Sequence, residues 1–130
     1  MKIAAFVIAL VCAAWLTACA SHPSQQARPL AARIGEHVVL EGVAESRKLG
    51  AAVRGDDFDV WIDQLNEWPA NLVGHRVRVT GILEERHDLP VFVARPGEPI
   101  VAGIPVAEGT DLHAASRRYV VRDARWNLIR

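Results

Sequence analysis

The stretch Gly74-His75-Arg76-Val77-Arg78-Val79-Thr80-Gly81-Ile82-Leu83-Glu84-Glu85 carries the most regular alternation in the chain. Val77, Val79, Gly81 and Leu83 fall on one face, with Arg76, Arg78, Thr80 and Ile82 on the other. A repeat of two is that of an extended strand with one face buried. Gly81 in its middle marks a bulge or a sharp bend, as at a barrel corner. His37 to Ala44 is built the same way, with Val38, Leu40 and Val43 around an interior Gly42. Leu49 to Arg54 is a second apolar piece, and Gly55-Asp56-Asp57 is a turn signal. Phe58, Val60 and Ile62 then alternate with Asp57, Asp59, Trp61 and Asp63.

Beyond these strands the pattern changes. Gln64 to Gly74 is short, carries Pro69 early and ends in glycine, which predicts a helical turn or short helix. Asp88 to Ser116 is rich in Pro and Gly, with one apolar patch at Val91 to Ala94, and reads as a long loop with a small strand. Tyr119 to Ile129 reads as the last strand, with Val120, Arg122, Ala124, Trp126 and Leu128 opposite Tyr119, Val121 and Asp123. The expected fold class is all-β with one short helix.

The blocks Val39 to Ala44, Val60 to Asp63 and Gly74 to Gly81 resemble the pattern of OB-fold barrels. The likeness covers roughly Ile34 to Glu85 and the last strand. It implies a small, partly closed five-stranded barrel over residues 34–130. The segment before the last strand is longer than usual for that family, which leaves the pairing at the closure open. By the same resemblance, a ligand surface would lie near Trp61, Arg76 and Arg78.

The N-terminus carries a different kind of information. Lys2 is followed by an unbroken apolar run from Ile3 to Trp15, the charged and apolar regions of a secretory signal. The run ends in Leu16-Thr17-Ala18-Cys19, which resembles the lipobox of bacterial lipoproteins. That resemblance implies a signal helix over residues 1–18 and cleavage between Ala18 and Cys19. It further implies a diacylglyceryl group on the Cys19 thiol, whose thiolate is the nucleophile that accepts it. One acyl chain anchors only marginally, whereas two or three give stable attachment. Ala20 follows Cys19 where an Asp would signal inner-membrane retention, so the implied address is the outer membrane facing the periplasm in a Gram-negative cell. Residues 19–33, rich in Ser, Gln, Pro and Ala, read as a flexible tether spanning on the order of 20 Å.

Removing residues 1–18 takes away Lys2 and leaves 112 residues with a formal charge of −1. That is one domain without the basic excess that marks nucleic-acid binding. Envelope compartments also hold little nucleic acid, so an envelope protein or an anionic ligand is the more plausible partner. Cys12 departs with the signal and Cys19 is capped, so thiol redox, disulfides and Cys-based metal sites are excluded from the remainder.

No catalytic constellation emerges. Asp56, Asp57, Asp59 and Asp63 lack the spacing of a calcium loop. His37, His75, His87 and His113 show no zinc-motif spacing, and no cofactor or metal is expected. His87-Asp88 could orient an imidazole for acid–base work, so an envelope carrier or enzyme using His87, Asp88 and His113 is the alternative to a binding module. Heme carriers with anchored OB-like barrels bind through a late His followed by a Tyr, but the surroundings of His113 and Tyr119 do not match that pattern. A third reading is a structural lipoprotein that docks a partner on an edge strand. Arg117, Arg118, Arg122 and Arg125 form a local basic run, and with Tyr119, Trp61 and Trp68 could make a binding face. Arg117 and Arg118 join Trp61, Arg76 and Arg78 as candidate binding residues. Trp68 and Trp126 read as core or barrel-end plugs.

Overall fold

The computed structural model describes residues 28–130. The signal helix, the Ala18–Cys19 cleavage site and the tether up to residue 27 lie outside the described residues. The strands among these residues are β1 (His37–Arg47), β2 (Gly50–Arg54), β3 (Asp59–Ile62), β4 (Arg76–His87), β5 (Val91–Val93), β6 (Ile104–Val106) and β7 (Arg117–Leu128), and the one α-helix among them, α1, is Leu112–Ala115. The protein is mostly β, built on a five-stranded sheet in the order β1-β2-β3-β7-β4, with β4 pairing back onto β1. All pairings in this ring are antiparallel except β3 with β7, a parallel seam of two residue pairs, Trp61–Val120 and Ile62–Val121. A seam that short makes the ring irregular.

The alternation around Gly81 explains the centre of this sheet. Val77, Val79 and Leu83 of β4 are fully buried, as are Val38 and Leu40 of β1. Across the β1–β4 ladder Val38 faces Gly81 and Gly42 faces Val77, so each inward glycine stands opposite a valine. Both glycines are dictated by close backbone approach. A Cβ on Gly42 would strike the carbonyl of Arg54, at the point where β1 leaves β4 to pair with β2. A Cβ on Gly81 would lie 2.5 Å from the carbonyl oxygen of Arg122 and 2.6 Å from Cγ1 of Val121.

That crowding coincides with a bulge. The register between β4 and β7 shifts between Thr80 and Ile82, which pair with Arg125 and Arg122. Asp123 adopts φ +52° to absorb the extra residue. The bulge corrects the expected alternation over Tyr119 to Ile129, because it exchanges the two faces part-way. Tyr119 and Val121 pack on the core before it, and Ala124 and Trp126 after it.

Two further expectations are corrected. Gln64 to Gly74 forms turns rather than a helix: Leu72 donates to Pro69 O at 2.8 Å and His75 to Leu72 O at 3.0 Å. With Pro69 at the first turn and Gly74 at φ +80°, the segment is too short to propagate. The tether also ends earlier than residue 33, because Leu30–Arg33 is a 3-10 turn with Leu30 and Arg33 buried. Gly35 N donates to Leu83 O at 2.7 Å and Leu83 N to Glu36 O at 3.0 Å, tying this turn to β4.

The long segment after β4 is an excursion pinched at its base, where Leu89 N meets Ser116 O at 3.1 Å and His87 pairs with Arg117. It holds a separate parallel pair, β5 with β6. It also holds α1, whose N-cap Asp111 accepts from His113 N and Ala114 N at 3.0 and 3.2 Å. The excursion therefore leaves β4 and β7 as neighbours across a long connection.

Candidate functional site

Trp61 lies on β3 with Val60 and Ile62 turned into the core on either side, so its indole points out of the sheet. Arg117, Arg118 and Tyr119 open β7, which the parallel seam sets beside β3. Together with the Asp57-Phe58-Asp59 entry to β3 and the Leu30–Arg33 turn, they line a cleft of about 500 Å³. The structure thus brings Trp61, Arg117 and Arg118 to one place.

Arg76 and Arg78 are not part of it. Both stand at the start of β4, where Arg78 Nη2 sits 2.6 Å and Arg76 Nη2 4.0 Å from Glu41. Arg122 is likewise engaged, with Glu84 at 2.7 Å and Asp123 at 2.6 Å. The basic run in the sequence is therefore divided by the structure into exposed ion pairs and a cleft group.

Within the cleft the cations differ in their freedom. Arg118 donates to Asp88 at 2.6 and 2.8 Å, and its guanidinium carbon stands 5.9 Å from the Trp61 ring centroid. This pair holds the Asp88 carboxyl below its ordinary range. Arg117 lies 5.6 Å over the Tyr119 ring and has no ion-pair partner among the described residues. Asp59 is taken by Arg47 at 2.8 Å. Arg33, 1% exposed, contributes to the cleft wall, and nothing in its sequence context marks it as buried. Leu30 and Arg33 share a periodicity of three, but four residues are too few to carry a helical signal.

Trp68 has a different role. It is 3% exposed, donates Nε1 to Ala52 O at 2.8 Å, and packs edge-on against Trp126 with centroids 5.1 Å apart. It belongs to the hydrophobic core, one of the two roles the sequence suggests.

Among the described residues the histidines separate into one pair and two isolated residues. His87 and His113 stack with centroids 3.8 Å apart and planes 3° from parallel. His87 Nδ1 faces His113 O at 2.8 Å and Nε2 faces Glu85 at 3.1 Å. Acceptors at both nitrogens favour imidazolium, so His113 O first and Glu85 next raise the His87 pKa, against burial and Arg117. Asp88, bound to Arg118, does not orient His87. Among the described residues no group of three His, Cys, Asp or Glu could hold a metal ion, and no helix is long and apolar enough to cross a membrane.

Beside the cleft, Arg86 bridges Asp63 and Glu84, at 2.7 Å to each. Arg86 holds Asp63 below the usual carboxylate range, and Arg86 with Arg122 does the same for Glu84. A depressed carboxylate adds stability above its unfolded pKa of about 4 and loses it as pH falls through the folded value. An Arg86→Met variant is accordingly expected to lose on the order of 1 kcal/mol at neutral pH, the groups being partly exposed. Its stability should also decline less between neutral and acid pH than that of the unaltered chain. Denaturant titrations across that range measure both.

No family model, no curated protein and no solved structure matches this chain.

Proposed function

We propose that this chain is a lipid-anchored binding module of the cell envelope, held by acylated Cys19 and carrying an OB-like barrel whose ligand sits in the Trp61–Arg117–Arg118 cleft. The observation that carries the reading is the cleft itself, which gathers aromatic and cationic side chains from three parts of the chain. Its size falls within the range of small-molecule sites, roughly 300–1,000 Å³. Support for the OB-like assignment comes from the ring order, with the third strand meeting the last in parallel while every other pairing is antiparallel. A non-catalytic role is favoured by the engagement of His87 at both nitrogens and of Asp88 by Arg118, which leaves neither poised to move a proton. The export signal and the lipobox-like tetrapeptide supply the address, the outer membrane facing the periplasm in a Gram-negative cell.

Two measurements test the reading. Mass spectrometry of the protein from its own host should show an N-terminal Cys19 bearing diacylglycerol; a retained Met1 or an unmodified Cys19 rules out the anchor. A small-molecule panel, mapped through the indole N–H resonance of Trp61 and quantified by calorimetry, should yield ligands that a Trp61→Ala variant no longer binds by calorimetry. Ligands that bind undiminished to that variant place the site elsewhere.

A further inference from the structure

The excursion between β4 and β7 ends in apolar surface. Ile100 is fully exposed, and Val101, Ile104 and Leu112 are exposed as well. Ile100 and Val101, with Phe92, Pro99 and Pro105, line an open groove of about 420 Å³. Contiguous apolar exposure of this kind marks a protein or membrane contact. The tip is a built turn. Gly97 at φ +83° and Gly103 at φ +153° redirect the chain on either side of Ile100. A side chain at Gly103 would strike the Pro90 carbonyl, which accepts from Ile104 N at 2.8 Å.

The place of this tip on the barrel says what it meets. His87, the last residue of β4, pairs with Arg117, so the excursion leaves the barrel at that end. Arg117 shares its cleft wall with Arg28 and Pro29, where the described chain begins. The excursion and the arrival of the chain from Cys19 therefore lie at one end of the barrel. Residues 19–27, nine in all, reach at most about 30 Å when fully extended. A compact domain of this size has a radius of gyration of about 13 Å and hence a diameter of roughly 33 Å. An acylated Cys19 thus holds this end toward the bilayer and keeps the opposite end, near Val73 and the start of β4, away from it. Charge agrees with a lipid contact. From Pro90 to Val106 the only charged residues are Arg95 and Glu98, 3.7 Å apart. A neutral apolar tip suits the bilayer interface and offers an ionic partner nothing to hold.

We infer that Ile100 and Val101, at the tip of the excursion, dock into the interface of the bilayer that holds acylated Cys19. The inference rests on the reading of Cys19 as a lipid anchor and adds a second contact made by the protein itself. The anchor makes that contact intramolecular, so a few aliphatic side chains suffice where they would not bind a membrane alone. Two points of attachment fix the orientation of the barrel. They also bring the Trp61–Arg117–Arg118 cleft, which opens at the same end, close to the lipid headgroups.

The test uses the full chain from its own host, with the mass of Cys19 checked for diacylglycerol, reconstituted into phosphatidylcholine vesicles with and without phosphatidylglycerol. A fluorophore is attached through Ala102→Cys at the tip or Val73→Cys at the far end, and part of the lipid carries a nitroxide quencher. The quencher should dim the label at 102 and leave the label at 73 nearly untouched, equally on both kinds of vesicle. Adding Ile100→Asp should lower the docking constant roughly tenfold or more, read as lost quenching. The melting temperature should not change, because Ile100 is fully exposed. Equal quenching at 102 and 73 on an acylated chain overturns the inference and leaves the anchor standing. Quenching that survives Ile100→Asp, or that appears on anionic vesicles alone, places the contact on other residues and overturns it. A label at 102 shielded from aqueous iodide but not quenched by the lipid means that a second copy or another part of the chain covers the tip, which overturns it too. An unmodified Cys19 removes the anchor and this inference with it.

Discussion

A Gly81→Val chain is expected to lose about 4 kcal/mol or more of stability and to be largely unfolded at physiological temperature. Gly81 has no left-handed backbone requirement, so the cost comes from space alone. A Cβ there meets the Arg122 carbonyl oxygen at 2.5 Å, Val121 Cγ1 at 2.6 Å and Ala124 Cα at 3.2 Å. Two of those three atoms are backbone at the β7 bulge, which cannot swing aside as a side chain would. Relief requires β4 and β7 to separate along the longest pairing in the sheet. Gly81→Ala should cost about 3 kcal/mol by the same clash. Gly74→Ala is the informative contrast, since nothing lies within 4 Å of its Cβ position and its φ is +80°. It should cost only about 1–2 kcal/mol, from backbone strain alone. Urea unfolding of the three variants measures the order; a Gly81→Ala chain as stable as the parent would show that the bulge is not tightly packed.

The second large effect concerns Trp68. Trp68→Ala is expected to cost about 3–5 kcal/mol from lost packing, with a further ~1–3 kcal/mol for the stranded Ala52 carbonyl to the extent that water cannot reach it. Against a total of about 5–15 kcal/mol for a domain of this size, the chain would be marginal. Trp68→Phe keeps most of the apolar volume and loses the 2.8 Å bond, so about 1–2 kcal/mol is expected. Tryptophan fluorescence follows both changes, because Trp126 loses its edge-on neighbour and its emission should move to longer wavelength. Trp61→Ala should leave stability nearly unchanged, since Trp61 is partly exposed and its indole N–H is unpaired. Equal destabilisation by Trp61→Ala and Trp68→Ala would contradict the separate roles of the two rings.

These contrasts show which features were legible in the residues. Val77, Val79 and Leu83 reveal their burial through spacing, because the two-residue repeat of a strand is a property of the local backbone. Gly42 and Gly81 announce close approaches for the same reason. The expectation for β7 fails at Asp123, because a bulge is set by the partner strand. One inserted residue exchanges inside and outside for everything after it. The Gln64 to Gly74 segment misleads because Pro and Gly signals are shared by short helices and by successive turns.

The candidate site was legible only in part. Trp61, Arg117 and Arg118 could be named as residue types suited to binding, but so could Arg76 and Arg78, which the fold places beside Glu41. Arg33 could not be named at all, since it sits in a stretch whose composition reads as tether. Burial of an arginine is decided by what packs over it, and composition does not record that.

By itself, then, the sequence determined the mostly-β class, the strands of the central sheet, the inward faces of β3 and β4, the absence of cysteine from residues 28–130, and the lipobox-like N-terminus from which an envelope address is proposed; on β1 it placed Val38 and Leu40 correctly but not Val43, which faces away from the core. Each of these is local: a repeat, a composition or a short motif. The tertiary structure alone decided that β3 meets β7, that the bulge at Asp123 turns Trp126 toward Trp68, and that Arg33 is buried and shares the wall of one cleft with Trp61. Those are contacts between residues far apart in the chain. Their geometry depends on how strands pair and where side chains are forced to turn, which no run of neighbouring residues encodes.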